Sequence, residues 1–214
     1  MPGRFLWQGP KEAYFTILLA HGAGAPMDSA SMMAASTALA GAGFRVARFE
    51  FAYMAARRTS GSGKPPPRAD RLMPEYAAAV AELASAGPLI IGGKSMGGRV
   101  ASMVADDLSA KGKIAGLLCL GYPFHPIGKP DQLRTAHLVN LKTPTLIVQG
   151  SRDEFGQRSE VETYGMSRSI EFCWLDDGDH DLKPRKTISG FSASDHLETM
   201  AKAVKRWAND LKVQ

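Results

Sequence analysis

Six short runs of the chain are apolar without interruption, and they recur along its whole length. They are Tyr14–Ala20, Phe44–Phe51, Pro88–Gly92, Ile114–Leu120, Thr145–Gln149 and Ile170–Leu175. A strand with one wet face would alternate apolar and polar residues. A uniformly apolar strand belongs in a sheet covered on both faces, which in practice means a parallel sheet with helices on each side. This pattern constrains the fold more than any other feature, because its alternation with amphipathic segments signals an α/β domain. The expected class is α/β, a mostly parallel sheet flanked by helices. At 214 residues the chain has room for one such domain, residues 1–214.

The segments between the runs carry helical periodicity. Asp28 or Ser29 can cap a helix that reaches about Ala40 and ends at Gly41 and Gly43. Pro74 to Ala86 places Tyr76, Val80 and Leu83 on one face, with Gly87 as a stop. Met96 to Ala110 carries Val100, Met103, Val104 and Leu108. Leu197, Met200, Val204, Trp207 and Leu211 form the clearest stripe, and Asp195 with Glu198 suggests a capping box before it. These stripes are read as core faces. The stretch Ala52–Arg68, AYMAARRTSGSGKPPPR, reads as a 17-residue loop because of its Gly, Ser and Pro content.

Composition narrows the function. Two cysteines, Cys119 and Cys173, cannot build a disulfide framework or a cysteine-rich zinc module, and both lie in apolar runs. A reduced, cytoplasmic protein is therefore expected. No run approaches 18 apolar residues, so no membrane span is expected, and MPGRFLWQGPKEAY lacks the apolar core of a signal peptide. The net charge of +5 is spread along the chain, with Arg57, Arg58, Lys64 and Arg68 as its densest cluster. Without interleaved aromatics or finger spacing, it reads as a solvated basic surface and not as a nucleic-acid site.

Chemistry concentrates at Gly93-Lys94-Ser95-Met96-Gly97, within PLIIGGKSMGGRV. An apolar strand enters this Gly-x-Ser-x-Gly and a helical pattern leaves it, as a nucleophile elbow requires. The turn must be sharp enough to lift the serine hydroxyl above the sheet edge, and the glycines allow strand and helix to approach. A phosphate-binding loop, Gly-x4-Gly-Lys-Ser, would need glycine where Pro88 stands and a glycine-rich cradle where Leu89, Ile90 and Ile91 form a strand. That reading is set aside.

A serine becomes a nucleophile only beside a base that an acid holds in place. Asp153 follows the run Thr145–Gln149 in TPTLIVQGSRDEFG, and His180 follows Ile170–Leu175 in IEFCWLDDGDHDLK. Strand ends of a parallel sheet converge at one edge, so Ser95, Asp153 and His180 can meet although they are far apart in sequence. His21-Gly22-Ala23-Gly24 follows the first run. The amides of Ala23 and Met96 are the expected oxyanion donors, with His21 bracing the loop. Each piece alone has an ordinary reading: a glycine turn, a helix cap at Asp153, an exposed loop histidine at His180. Their joint order and placement favour a catalytic triad. No histidine pair shows ligand spacing, so neither a metal nor another cofactor is expected.

With these motifs the chain resembles the α/β-hydrolase superfamily, over nearly its whole length. Gly121–Leu138, GYPFHPIGKPDQLRTAHL, together with FEFAYM, is similar to a small dienelactone-hydrolase-like branch. That branch includes testis-expressed protein thirty and the hydrolase-like region of the third NSL-complex subunit. The resemblance implies the fold and a Ser–His–Asp hydrolase site, carried here by Ser95, His180 and Asp153, but no substrate; the expected reaction is carboxylesterase-type, on small soluble esters or thioesters. A non-catalytic subunit that keeps the fold, or a peptidase or acyltransferase with the same triad, is the alternative. Only about 24 residues separate the fourth and fifth runs, too few for a lipase-type lid. If Lys94, Arg99, Arg152 or Lys183 faces the pocket, an anionic substrate would be favoured. Met27, Tyr53, Tyr122 and Phe124 are candidates for an apolar pocket wall, with core packing an equal alternative for each. Oligomeric state is not legible in the sequence.

Overall fold

The computed structural model describes residues 4–61, 65–83 and 87–211. The first half runs β1 (Phe5–Gln8), β2 (Thr16–Ala20), α1 (Ala30–Gly41), β3 (Arg45–Phe49), α2 (Ala52–Ser60), α3 (Ala69–Glu82), β4 (Leu89–Lys94) and α4 (Met96–Ala110). The second half runs β5 (Gly116–Leu120), a 3-10 turn (Ala136–Leu138), β6 (Thr145–Gly150), α5 (Arg158–Val161), β7 (Ile170–Leu175), α6 (Lys186–Ser189) and α7 (Ala193–Asp210).

All six apolar runs are strands of one seven-stranded sheet, ordered β1-β3-β2-β4-β5-β6-β7. The six pair in parallel, and β1 joins the edge antiparallel to β3. Successive side chains of each strand enter opposite cores. Ile17 and Leu19 of β2 pack with Met32 and Leu39 of α1 and with Met200, Val204 and Trp207 of α7. Leu18 and Ala20 face the other way, toward Tyr76 of α3 and Val100 and Val104 of α4. Burying one such large apolar side chain contributes about 1.5–3 kcal/mol, so both faces must be covered, as the uninterrupted apolar runs require. Packing leaves no slack at Gly116, where a Cβ would lie 2.8 Å from the Trp207 ring.

Chain order reverses direction between β2 and β4. From β2 the chain winds outward through α1 to β3, then returns to lay β4 on the other side of β2. The carboxyl ends of β2 and β4 therefore flank the topological switch point, where doubly wound sheets open a crevice. His21 and Ser95 are the residues that leave those ends.

Several expectations need correction. β1 was not anticipated; it is a four-residue edge strand with its residues half-buried to exposed. Ala52–Arg68 is not one long loop. Its first half is α2, stopped by Gly61 at φ 63° with Arg57 and Arg58 in the last turn, where cations favour the helix carbonyl end. α3 begins at Ala69 and contains Pro74, although a helix starting at Pro74 was expected. Burial of Leu72, Tyr76, Ala79 and Val80 carries the helix through the proline despite its missing N–H. The expected end of that helix at Ala86 lies outside the described residues. The capping box of α7 is Ser192 with Asp195, three residues before the expected pair. Among the described residues, no helix is long and apolar enough to cross a membrane.

Candidate active site

Ser95 takes φ 51°, ψ −118°, a left-handed backbone that costs a non-glycine residue about 1–3 kcal/mol. Tight packing around it enforces the conformation. A Cβ on Gly97 would lie 2.4 Å from the Ala20 carbonyl oxygen and 2.6 Å from that of His21. One on Gly93 would lie 2.5 Å from the Ala20 oxygen. The end of β4, the start of α4 and the exit of β2 thus touch backbone to backbone, which only glycines permit. Ser95 is further pinned by its own N–H, which donates to Leu120 O at 2.9 Å.

Asp153 is fully buried, yet each of its carboxylate oxygens has partners. Oδ1 accepts the Phe155 N–H at 2.9 Å. Oδ2 accepts Gln149 Nε2 at 2.9 Å and His180 Nδ1 at 2.8 Å. Because Nδ1 donates to the carboxylate, Nε2 of His180 is the free basic nitrogen. The ring packs against Phe155, tilted by 40° with 4.3 Å between centroids, and sits over Gly121, where a Cβ would be 3.4 Å from Nδ1. Gly121 directly follows Leu120, so the imidazole and the serine are anchored to consecutive residues at the end of β5. Among the described residues no hydrogen bond joins the Ser95 hydroxyl to the imidazole; such bonds are often long in a free enzyme and tighten with substrate.

The turns carrying the acid and the imidazole are interlocked. A Cβ on Gly150 would lie 2.2 Å from Gly178 O. Arg152 N–H donates to Gly178 O, Ser151 N–H to Leu175 O, and Asp177 N–H to Ser151 Oγ. The guanidinium of Arg185, hydrogen-bonded to Asp177, holds that carboxyl down to about 2. Lys94 adds a third tie. Its Nζ donates to the His180 carbonyl at 2.8 Å and pairs with Asp181 at 3.0 Å.

His21 braces the first loop as expected. Its Nε2 accepts the Phe51 N–H at 3.2 Å, which leaves Nδ1–H to donate to Gly22 O at 2.6 Å. Burial lowers its pKa, with the Gly22 bond opposing only in part, so the ring stays neutral. Tyr53 donates its hydroxyl to Ala23 O at 3.0 Å. With the Gly22 carbonyl turned toward His21, the trans peptide directs the Ala23 N–H the opposite way. Met96, the first residue of α4, has an N–H with no intrahelical acceptor.

Ala23, Ser95, Met96 and Phe155 share a cleft of about 590 Å³, completed by residues that include Pro123, Met103, Arg99 and Arg134. A larger cavity, lined by Tyr14, Pro88 and Lys113 among others, lies at the opposite, amino ends of β2 and β4. None of the four residues expected in a pocket wall lines this cleft. Tyr122 and Phe124 are completely buried core residues, because the chain dives inward past β5; Pro123 between them reaches the cleft. Tyr53 props the His21 loop and Met27 is tied by its backbone to Arg48 and Glu50; neither lines the cleft. Of the four basic candidates, only Arg99 does. Lys94 holds the His180 turn, Arg152 donates to Asp177 O, and Lys183 pairs with Asp181. Sequence reasoning missed Gln149, Phe155 and Arg134; Gln149 could have been noticed as a polar residue inside an apolar strand. Among the described residues, no three His, Cys, Asp or Glu side chains gather as a metal site.

Comparison with known proteins identifies the fold. Residues 13–209 match the family model described as alpha/beta hydrolase domain. A Pongo abelii protein, ABHD14B, whose name provisionally assigns it protein-lysine deacylation, is 29% identical over 152 residues, 71% of this chain and 68% of its own. Among solved structures, a lidless serine hydrolase from Xanthomonas campestris superposes with TM-score 0.65 at 18% identity, covering 95% of this chain and 88% of that one. A dienelactone hydrolase from Anabaena variabilis gives 0.66 at 17%, covering 97% and 92%.

Proposed function

The chain belongs to the alpha/beta hydrolase domain family, and from that premise we propose that it is a serine hydrolase cleaving small esters or thioesters through Ser95, His180 and Asp153. One observation carries the reading: a serine held at positive φ on a glycine-walled elbow, beside an imidazole whose Nδ1 is bound 2.8 Å from a buried carboxylate. Nothing in fold stability calls for that strained serine, whereas nucleophilic attack does.

In the proposed cycle Ser95 Oγ adds to the substrate carbonyl as its proton passes to His180 Nε2. Asp153 keeps the imidazole in the required tautomer and stabilises the imidazolium. The N–H groups of Ala23 and Met96 bind the oxyanion, each worth about 3 kcal/mol of transition-state stabilisation. Collapse of the intermediate expels the leaving group, which takes the proton from His180, and leaves an acyl-serine. Water, deprotonated by the same nitrogen, then releases the acid and restores Ser95. Gln149 and Lys94 are positioning residues for the acid and the base.

Two unpaired cysteines support a cytoplasmic location. The stretch Gly121–Leu138 supports a place in the dienelactone-hydrolase-like branch. Acyl-lysine peptides belong in the substrate panel beside esters, given the relative named for deacylation. The test is intact-mass labelling with a fluorophosphonate. One adduct on the wild type and none on Ser95→Ala is expected. A folded wild type that takes no adduct overturns the reading and promotes the non-catalytic subunit in its place.

A further inference from the structure

Two of the arginines lining the cleft beside Ser95 carry positive charge without a counter-ion. Arg99 lies one helical turn beyond the serine, its N–H bonded to Ser95 O at 3.0 Å. Arg134 is pinned from the other side, its N–H on Phe124 O at 2.7 Å and its carbonyl accepting the Tyr122 hydroxyl at 3.0 Å. Both guanidinium side chains line the cleft. Asp70 is the acid of that lining, and it pairs with Arg68 at 3.1 Å. Among the described residues, neither Arg99 nor Arg134 has a carboxylate partner, and Arg99 Nε is buried without a hydrogen-bond acceptor.

Neither His137 nor Tyr122 beside them supplies a compensating negative charge. Burial lowers the pKa of His137, and Arg99 lowers it further. Burial raises the Tyr122 phenol well above its usual range. Arg134 is itself pushed down, first by burial and then by Arg99. Two half-buried like charges and an orphaned donor are costly to keep. An anion lying between them would repay that cost, and the guanidinium fork matches a carboxylate in two-point geometry. Apart from the Arg68–Asp70 pair and Ser95 itself, the rest of the wall, including Met103, Phe155 and Pro123, is apolar.

We propose that Arg99 and Arg134 form an anion subsite, and that the substrate is an ester bearing a second, ionised carboxylate joined to the scissile carbonyl by an apolar spacer. The proposal rests on the serine-hydrolase reading of the same cleft, and its test is independent of turnover. In the Ser95→Ala protein, monomethyl adipate (anionic) and dimethyl adipate (neutral) are titrated calorimetrically. The anionic ester is expected to bind about 10- to 100-fold tighter, the range for charge-assisted hydrogen bonds. Arg99→Met or Arg134→Met in that background should erase the preference, and Arg99→Lys should keep part of it. Equal affinities, no measurable binding of either ester, or a preference that survives both methionine variants overturns the subsite. Fluorophosphonate labelling of the wild type reports separately on the hydrolase reading, so an inert serine with intact carboxylate binding would refute that reading alone.

Discussion

Replacing Lys94 by methionine tests whether the base is held from the nucleophile's own strand. Methionine keeps the unbranched stem and removes the donor. The lost interactions are a 2.8 Å charge-assisted bond to the His180 carbonyl and a 3.0 Å pair with Asp181. The lysine side chain is 12% exposed, so the first bond is worth about 1.5–3 kcal/mol. Asp181 is 46% exposed, and screening limits its share to under about 1 kcal/mol. For a domain of this size the melting temperature should fall by about 3–12 °C. If the tether holds the imidazole in place, the fraction of productive rings falls by about 10- to 150-fold, since 1.36 kcal/mol is a factor of ten. The second-order rate of fluorophosphonate labelling at Ser95 reads this without a known substrate, and Lys94→Arg should recover most of the rate. A labelling rate within threefold of wild type, alongside the expected drop in melting temperature, would refute the reasoning: Asp153 alone would then position the ring.

Gly97→Ala should cost at least about 1–3 kcal/mol and abolish labelling, because its Cβ meets two backbone carbonyls that cannot yield separately; normal labelling would show that the elbow tolerates expansion. Asp106 is raised by burial, but the Thr143 hydroxyl and the Thr143 and Lys142 N–H groups outweigh this and hold its pKa below the usual range. A depressed carboxylate stabilises the fold above its unfolded pKa near about 3.9 and loses that contribution as pH falls through the folded value. The stability gap between wild type and Asp106→Asn, measured by urea unfolding, should therefore be full at neutral pH and close below about pH 4; a gap that ignores pH contradicts the assignment. Cys119 is fully buried and its thiol is pushed far up by that burial, so iodoacetamide at mildly alkaline pH should modify it only after denaturant is added. Rapid modification of the native protein would show that the cleft side of β5 opens.

Where the sequence was legible, one physical signal dominated. The apolar runs became the six parallel strands because burial on both faces leaves no freedom in residue choice. Ser95, Asp153 and His180 were visible because strand ends of such a sheet converge. Weaker signals failed for local reasons. FLWQ lies on an edge with half-exposed residues, and its three apolar residues make too short a run to stand out as a strand. The Gly and Pro content beyond Gly61 masked the helix before it, whose Arg58 gains Asp28 and Glu50 as partners only through the tertiary fold. Arg134 lies 39 positions from Ser95 (134−95), inside the stretch Gly121–Leu138, and its approach to Arg99 depends on a path from β5 that no periodicity reports.

The backbone contact between Gly150 and Gly178 also limits where this domain can accept new sequence. Ladder-like bonds fuse the turns after β6 and β7 into one body, so an insertion in either would spread both strands and separate acid from base. Loop grafts in this region must be exchanged as a pair. Between β5 and β6 the chain is tied at His125, whose N–H donates to Phe155 O, and at Leu138, whose carbonyl accepts from Ser167, but Gly128 between them has open space around it, and Ile127 and Leu133 face outward. A cap added there would cover the cleft from above while leaving the interlocked turns untouched, which makes it the natural site for retailoring substrate range.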